Sequence, residues 1–486
     1  MNRELTNIIF ITSCIVLTVS IFWFAYSSLS IRLDESQSIW QTANDLDLLL
    51  ESLSRNVHVP LYHIVMHYWQ IAFGNDIIVT RALSLGFFVA LIPLFFYGLR
   101  SIYNKQIAYL ATMLLVVSPF IHWFSSETRM YTMVLLLTVV SQFTFLHLMR
   151  TNRSEYWLLY TVVAILGMYT HYFFNLVLLS QIIFFFTFRT THFTASHLKN
   201  FLTAGCLALA AFIPWVYAVI QGAGTDADPQ LVAPSSVDFF NLFANFLFGF
   251  QIDLVNSYIL SFWPLLFVLM IFGLKRSNPF SAETTFFLIS AFVPLFVAFA
   301  ASYVLQPLFL SRYLIVSLPA IVILIALSIN HFSFDFRNKL LTTICAACLI
   351  ASFTQWQSPN TPVKEDFRSA VAFMNENTTP QDTVFVSAPF LIYPTFYYYS
   401  GPAAVRTLPD WDRHGGDALD SSMNVEKIET SIKNHHHTDG NLFVLLGYDQ
   451  GDELILRNYL AENYTTIEHL TLSPDLELLV LSNSPV

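Results

Sequence analysis

Residues 4–35 read ELTNIIFITSCIVLTVSIFWFAYSSLSIRLDE, and this stretch decides the fold class. No charged side chain stands between Glu4 and Arg32. The run is longer than the ~20 residues a helix needs to cross the hydrocarbon core of a bilayer. Charge returns all at once, as Arg32, Asp34 and Glu35, where such a helix would reach the far interface. Only Arg3 precedes the run and no small-residue cleavage site follows it, so it reads as a retained anchor rather than a removed signal peptide.

The same pattern recurs down the chain. Charge-free runs occupy 82–99, 106–126, 130–149, 156–188, 200–225, 254–274, 284–311, 313–330 and 340–363. The run 156–188 is too long for one helix, and the polar turn Tyr169-Thr170-His171-Tyr172 divides it into two. The chain therefore reads as a polytopic α-helical membrane protein with about eleven transmembrane helices. Composition agrees: the 486 residues are 55% hydrophobic and 12% charged, about half the charged share of an ordinary soluble chain. The four cysteines, Cys14, Cys206, Cys345 and Cys348, fall inside apolar runs and read as small hydrophobes.

Orientation follows from the short connectors. Arg100 and Lys105, Arg150 and Arg153, Arg189 and Lys199, Lys275 and Arg276, and Arg337 and Lys339 fall in alternate loops, which the positive-inside rule places in the cytoplasm. The N-terminus is then inside and the C-terminus outside. The compact tail and short loops suit a prokaryotic cytoplasmic membrane. Two outer segments are long, 32–81 and 226–253, and in the first Pro60 to Gly74 has the mixed apolar and polar spacing of an interfacial helix.

After Trp356 the pattern changes. Residues 1–358 carry 16 Lys and Arg against 15 Asp and Glu, whereas 359–486 carry 7 against 18. Short apolar runs at 383–388, 442–446 and 476–481 alternate with helical stretches at 365–377, 425–434 and 453–463. Residues 1–358 thus form a transmembrane module and 359–486 an acidic, soluble, extracytoplasmic α/β domain. An acidic tail and the lack of any basic face exclude nucleic acid as a partner.

Three clusters carry candidate chemistry. Asp34-Glu35 either marks a solvated helix end or supplies a general base that takes the proton from an attacking hydroxyl. Ser125 to Tyr131 is a tight outer turn whose Glu127 and Arg129 either snorkel to anchor it or form part of a site. Arg312-Tyr313 lies between two uncharged stretches, and Arg81 is its counterpart at the second span. Arginine there suits either interface anchoring or bidentate binding of a lipid phosphate. The outer histidines His58, His63, His67 and His171 could join Glu127 or Glu35 around a metal, although no spacing is a strong metal signature.

Taken in order, these segments resemble the polyprenyl-phosphate-sugar-dependent glycosyltransferases of the GT-C superfamily, in the branch of protein O-mannosyltransferases and lipid A aminoarabinose and galacturonic acid transferases. The resemblance covers roughly residues 5–330. Asp34-Glu35 matches an acidic pair in the first outer loop, and His58-Val59-Pro60-Leu61-Tyr62 a basic-Pro-Pro-Leu-aromatic segment. Arg81-Ala82-Leu83-Ser84 matches the start of the second helix, Ser118-Pro119 with Glu127 to Tyr131 an outer hairpin, and Arg312-Tyr313 with Pro319 a late Arg-Tyr helix. Val59 departs from the pattern, standing where the family usually has proline.

The resemblance implies an inverting transfer of a sugar from a polyprenyl-phosphate donor to a hydroxyl of a glycan, lipid or protein acceptor. It implies Asp34 as the base, with Glu35 orienting it or binding a metal. Donor phosphate would be held by Arg81, Arg129 and Arg312 with Tyr131 and Tyr313. A divalent ion (Mg, Mn or Zn) would lie among His58, Glu127 and His171. The competing class is a transporter or flippase, which places ionisable groups near the bilayer midplane; here the expected spans carry none except histidine.

Overall fold

The computed structural model describes residues 3–56, 58–222, 232–259, 281–413, 423–436, 439–449 and 453–482, with a few isolated positions between them. Cα packing divides the chain into two compact units, 1–27 with 58–221 and 229–357, and 28–57 with 222–228 and 358–486.

The chain opens with α1 (Arg3–Ile21), continued by a π-helical turn to Tyr26. Then come α2 (Leu33–Ala43) and α3 (Leu46–Arg55), which belong to the second unit. The first unit resumes with α4 (Leu61–Phe73), ended by Gly74 at φ 93°, where glycine is the residue that meets no steric penalty. It continues through α5 (Ile77–Ile102), α6 (Lys105–Val116), α7 (Pro119–Ser125), α8 (Tyr131–Arg150), α9 (Ser154–Thr170), α10 (Phe174–Thr187), α11 (Ala195–Gly222), α12 (Ser236–Phe248), α13 (Ala282–Val304), α14 (Leu318–Asn330) and α15 (Phe334–Gln357).

Among the described residues seven helices are long and apolar enough to cross a membrane, and α6 with α7 makes an eighth if their 62° bend is one broken span. The break has a covalent cause: Pro119 has no N–H to continue the ladder, and Ser118 turns its hydroxyl to Phe246 O at 2.8 Å. The 156–188 run does divide at His171, into helices of 17 and 14 residues. The expected span 254–274 lies mostly outside the described residues. Part of 226–253, read as an outer loop, is instead the apolar helix α12. The span Tyr313–Asn330 is 83% buried and α8 72%, against 17% for the first and last spans, so α8 and α14 are the centre of this unit. Cys14 and Cys348 are buried as expected, but Cys206 is exposed on α11.

In the second unit α16 (Phe367–Asn377), β1 (Thr383–Ser387), α17 (Ile392–Tyr398), β2 (Ala404–Thr407), α18 (Val425–His435), β3 (Leu442–Gly447), α19 (Glu453–Asn463), β4 (Thr465–Ser473) and β5 (Leu476–Ser482) follow in order. They form a five-stranded sheet, β2-β1-β3-β5-β4. β1 is parallel to β2 and β3, with Thr383 opposite Ala404 and Leu442; β5 runs antiparallel to β3 and β4. Both central strands, TVFVS and LFVLLG, are buried along their whole length, as strands covered on two faces must be. Phe367, Val371 and Met374 of α16 pack on Val384, Val386 and Leu445, while Ile428 and Ile432 of α18 with Leu456 and Leu460 of α19 cover Phe385 and Val444. Helix α2 is part of this unit, its Trp40 ring 5.1 Å from Tyr393 of α17.

Candidate active site

The sequence candidates fall into two groups, one in each unit. In the first unit, four connectors bring together His58 (before α4), Glu127 and Arg129 (between α7 and α8), His171 (between α9 and α10) and Arg312 (before the 3-10 turn Tyr313–Ser317 that leads into α14). Arg129 Nη2 is 3.3 Å from His58 Nε2. The His171 ring is 5.6 Å from Tyr313 and 6.2 Å from Tyr131, and Arg312 stacks over Tyr313 at 5.4 Å.

The turn is rigidly built. Arg129 N donates to Glu127 O at 2.7 Å, Ser84 Oγ to Arg129 O at 3.1 Å, and Thr132 Oγ1 to Ser84 O at 2.8 Å, while Tyr62 Oη shares a hydrogen with Ser84 Oγ. Glu127 and Arg129 are only 5% and 7% exposed, so the snorkelling reading of this pair is wrong: both are interior groups. Burial, then Arg129, His58 and Arg312, push His171 down to about 3. Its imidazole is therefore neutral at physiological pH and accepts from Phe173 N through Nδ1 at 3.1 Å. The fixed positive charge of the cluster is Arg129 and Arg312, and a partly dehydrated pair of guanidinium groups is suited to a phosphate. Arg81 donates through Nη1 to Tyr26 O at 3.1 Å and is 1% exposed.

Among the described residues His58, Glu127 and His171 do not converge as a ligand set. His58 turns Nε2 to the Arg129 guanidinium. His63 was one of several histidines in the sequence; here it is fully buried beside His58, ring centroids 6.1 Å apart.

An apolar cavity of about 430 Å³ lies in the same unit between α9, α10 and α11. Met168 and Asn175, which flank His171 in the chain, line it together with Gly205 and Cys206.

In the second unit, Asp34 and Glu35 occupy the first turn of α2, where the helix dipole favours negative charge. Their environments differ. Glu35 is fully buried, and its Oε2 accepts from Arg32 N at 3.1 Å and lies 3.5 Å from Arg32 Nε, closing the helix start. Asp34 is half-buried. Three residues that sequence reasoning did not single out, Lys364, Glu365 and Tyr448, interact with this turn. No local signal marked them, because more than 300 positions separate them from Asp34.

The family described as dolichyl-phosphate-mannose-protein mannosyltransferase matches residues 58–217. No curated protein sequence matches the chain significantly. Among solved structures, ArnT from Cupriavidus metallidurans in the apo state is similar over 98% of both chains, with a TM-score of 0.62 and 9% identity. The chain shares the fold of this protein. A second structure of ArnT, bound to undecaprenyl phosphate, gives a TM-score of 0.59 at 11% identity over 99% of this chain and 98% of that one. The Archaeoglobus fulgidus oligosaccharyltransferase in complex with Zn and sulfate gives 0.56 at 12% identity, covering 98% of this chain and 73% of that one. The shared fold and the apolar spans together make this a multi-pass membrane protein.

Proposed function

We propose that this GT-C protein is an inverting glycosyltransferase that moves a sugar from polyprenyl phosphate to an acceptor hydroxyl outside the cytoplasmic membrane. The observation that supports this best is the cluster that brings the buried Arg129 and the half-buried Arg312 to His58 and His171, two guanidinium groups suited to a phosphate. Undecaprenyl phosphate, which ArnT binds, has such a headgroup, and the cavity between α9, α10 and α11 is apolar enough for part of its chain.

In this reading the acceptor oxygen attacks the anomeric carbon while Asp34 takes its proton. The bond from that carbon to the phosphate oxygen breaks, and the electron pair leaves with the phosphate. Phosphate needs no protonation to depart, so the requirement is neutralisation of its added charge, which Arg129 and Arg312 meet with Tyr131 and Tyr313 beside them. The alternating arginine and lysine loops support an inside N-terminus and an extracytoplasmic residue 359–486 domain. The Zn in the oligosaccharyltransferase structure makes chelation an informative arm of the test, but no step here is assigned to a metal.

The test is release of polyprenyl phosphate from a panel of labelled polyprenyl-phosphate sugars by the detergent-solubilised protein, with and without chelator. Donor-dependent release supports the reading; a folded protein that binds and consumes none of them removes it and favours transport. A narrower prediction concerns the cavity. A Cβ on Gly205 meets nothing within 4 Å, so the side chain of Gly205→Phe starts in open space at the cavity wall. Excluding two methylenes at ~0.8 kcal/mol each weakens undecaprenyl phosphate binding about tenfold. In the same experiment, bound undecaprenyl phosphate should slow maleimide labelling of Cys206, and unchanged labelling would move the lipid elsewhere.

A further inference from the structure

The second unit holds a carboxyl group in a position that a soluble domain serving only as a cover has no use for. Glu365, just before α16, is 8% exposed. The Tyr448 hydroxyl donates to its Oε1, and Oε2 has no hydrogen-bond partner among the described residues. Leaving a buried carboxylate oxygen unpartnered is costly, and such a cost is retained where the group serves the site beside it. Tyr448 contributes a second departure from the ordinary. It stands just past the end of β3 with φ at 57°, a left-handed conformation that bulky residues avoid, and this backbone is what aims the phenol at Glu365.

What lies beside Glu365 is the first turn of α2. Glu365 and Tyr448 both interact electrostatically with Asp34 and Arg32. Lys364 adds a second cation, whose ammonium is pulled down to about 8 by burial and by Arg32. Arg32 is thus shared: its backbone and guanidinium face Glu35, and its charge also acts on Glu365. Burial, and the like charge of Asp34, raise the Glu365 carboxyl above the usual range.

We propose that Glu365, held by Tyr448, is a positioning residue through which the C-terminal unit fixes Arg32 and hence the Asp34 turn of α2 in its working geometry. The inference rests on the reading of Asp34 as the base, and it makes residues 359–486 a working part of the catalytic machinery.

Two variants of the full-length protein test it, Glu365→Gln and Tyr448→Phe, the second removing one hydroxyl without changing the ring. Each should lower kcat, on the donor that wild type consumes, by up to about 10²-fold, the scale on which misplaced catalytic groups act. KM and the affinity for undecaprenyl phosphate should stay within twofold, and Glu365→Asp should recover part of the loss. Independently of turnover, amide hydrogen exchange in Leu33–Ala43 should quicken in both variants. Unchanged α2 exchange with kcat within twofold of wild type overturns the proposal while leaving Asp34 as base. A fully active Asp34→Asn protein overturns the base itself.

Discussion

Asp34→Asn is expected to bind undecaprenyl phosphate as the wild type does and to transfer sugar about 10²–10⁴-fold more slowly, the range that a positioned general base contributes. Asparagine keeps the size and the place of the side chain at the start of α2 but has no lone pair basic enough to take the acceptor proton. The structure gives the two adjacent carboxylates different surroundings. Glu35 is fully buried and turned back on the Arg32 backbone and guanidinium. Its replacement by Gln therefore acts first on the helix start, at about 1 kcal/mol for a lost cap, and should show as a lowered Tm. Asp34, half-buried on the same turn, is the carboxylate proposed as the base. Transfer by Asp34→Asn within tenfold of wild type would assign the base to another residue.

The parts of this fold that were legible in the sequence are those in which one residue type governs one outcome. Charge-free runs announce α5, α8 and α11, because an unpaired charge is costly in lipid whatever the tertiary context. The division at His171 could be read because 33 residues without charge exceed one crossing. The two-sided strands β1 and β3 were readable as continuous apolar runs.

Elements without such a signature were missed. β4 is exposed along nearly all its length, so it has no core face to betray it, and β2 has only four residues. Helix α12 hid in a segment read as loop, although Ser235 with Asp238 three residues on, ahead of an apolar run, is a capping signal that could have found it. The turn Glu127 to Arg129 could be located but not its depth: whether a charged pair anchors an interface or lies inside depends on what covers it, here connectors that start at residues 58, 171 and 312. Glu365 and Tyr448 were invisible for the same reason, because long-range contacts leave no periodicity.

Arg129 is where removal of one side chain should be most damaging to donor recognition. Its guanidinium lies beside His58 at 3.3 Å and is 7% exposed, and its backbone is clamped by Ser84 and Glu127. The group is therefore already ordered, and a phosphate meeting it forgoes little entropy. Truncating one partner of a buried, hydrogen-bonded charge pair costs about 2–5 kcal/mol, so Arg129→Ala should weaken undecaprenyl phosphate binding by at least about thirtyfold. Arg129→Lys should recover only part of this, because a point charge replaces a planar fork. A thermal shift provides a check that needs no donor sugar. A ligand at a hundred times its Kd stabilises the folded state by about 2.7 kcal/mol, so wild type should gain Tm with undecaprenyl phosphate and Arg129→Ala should not. His171 does not replace the lost charge, because burial, the largest cause of its lowered pKa, persists in Arg129→Ala and disfavours its protonated form. Equal lipid-induced shifts in the two proteins would place the phosphate away from this cluster.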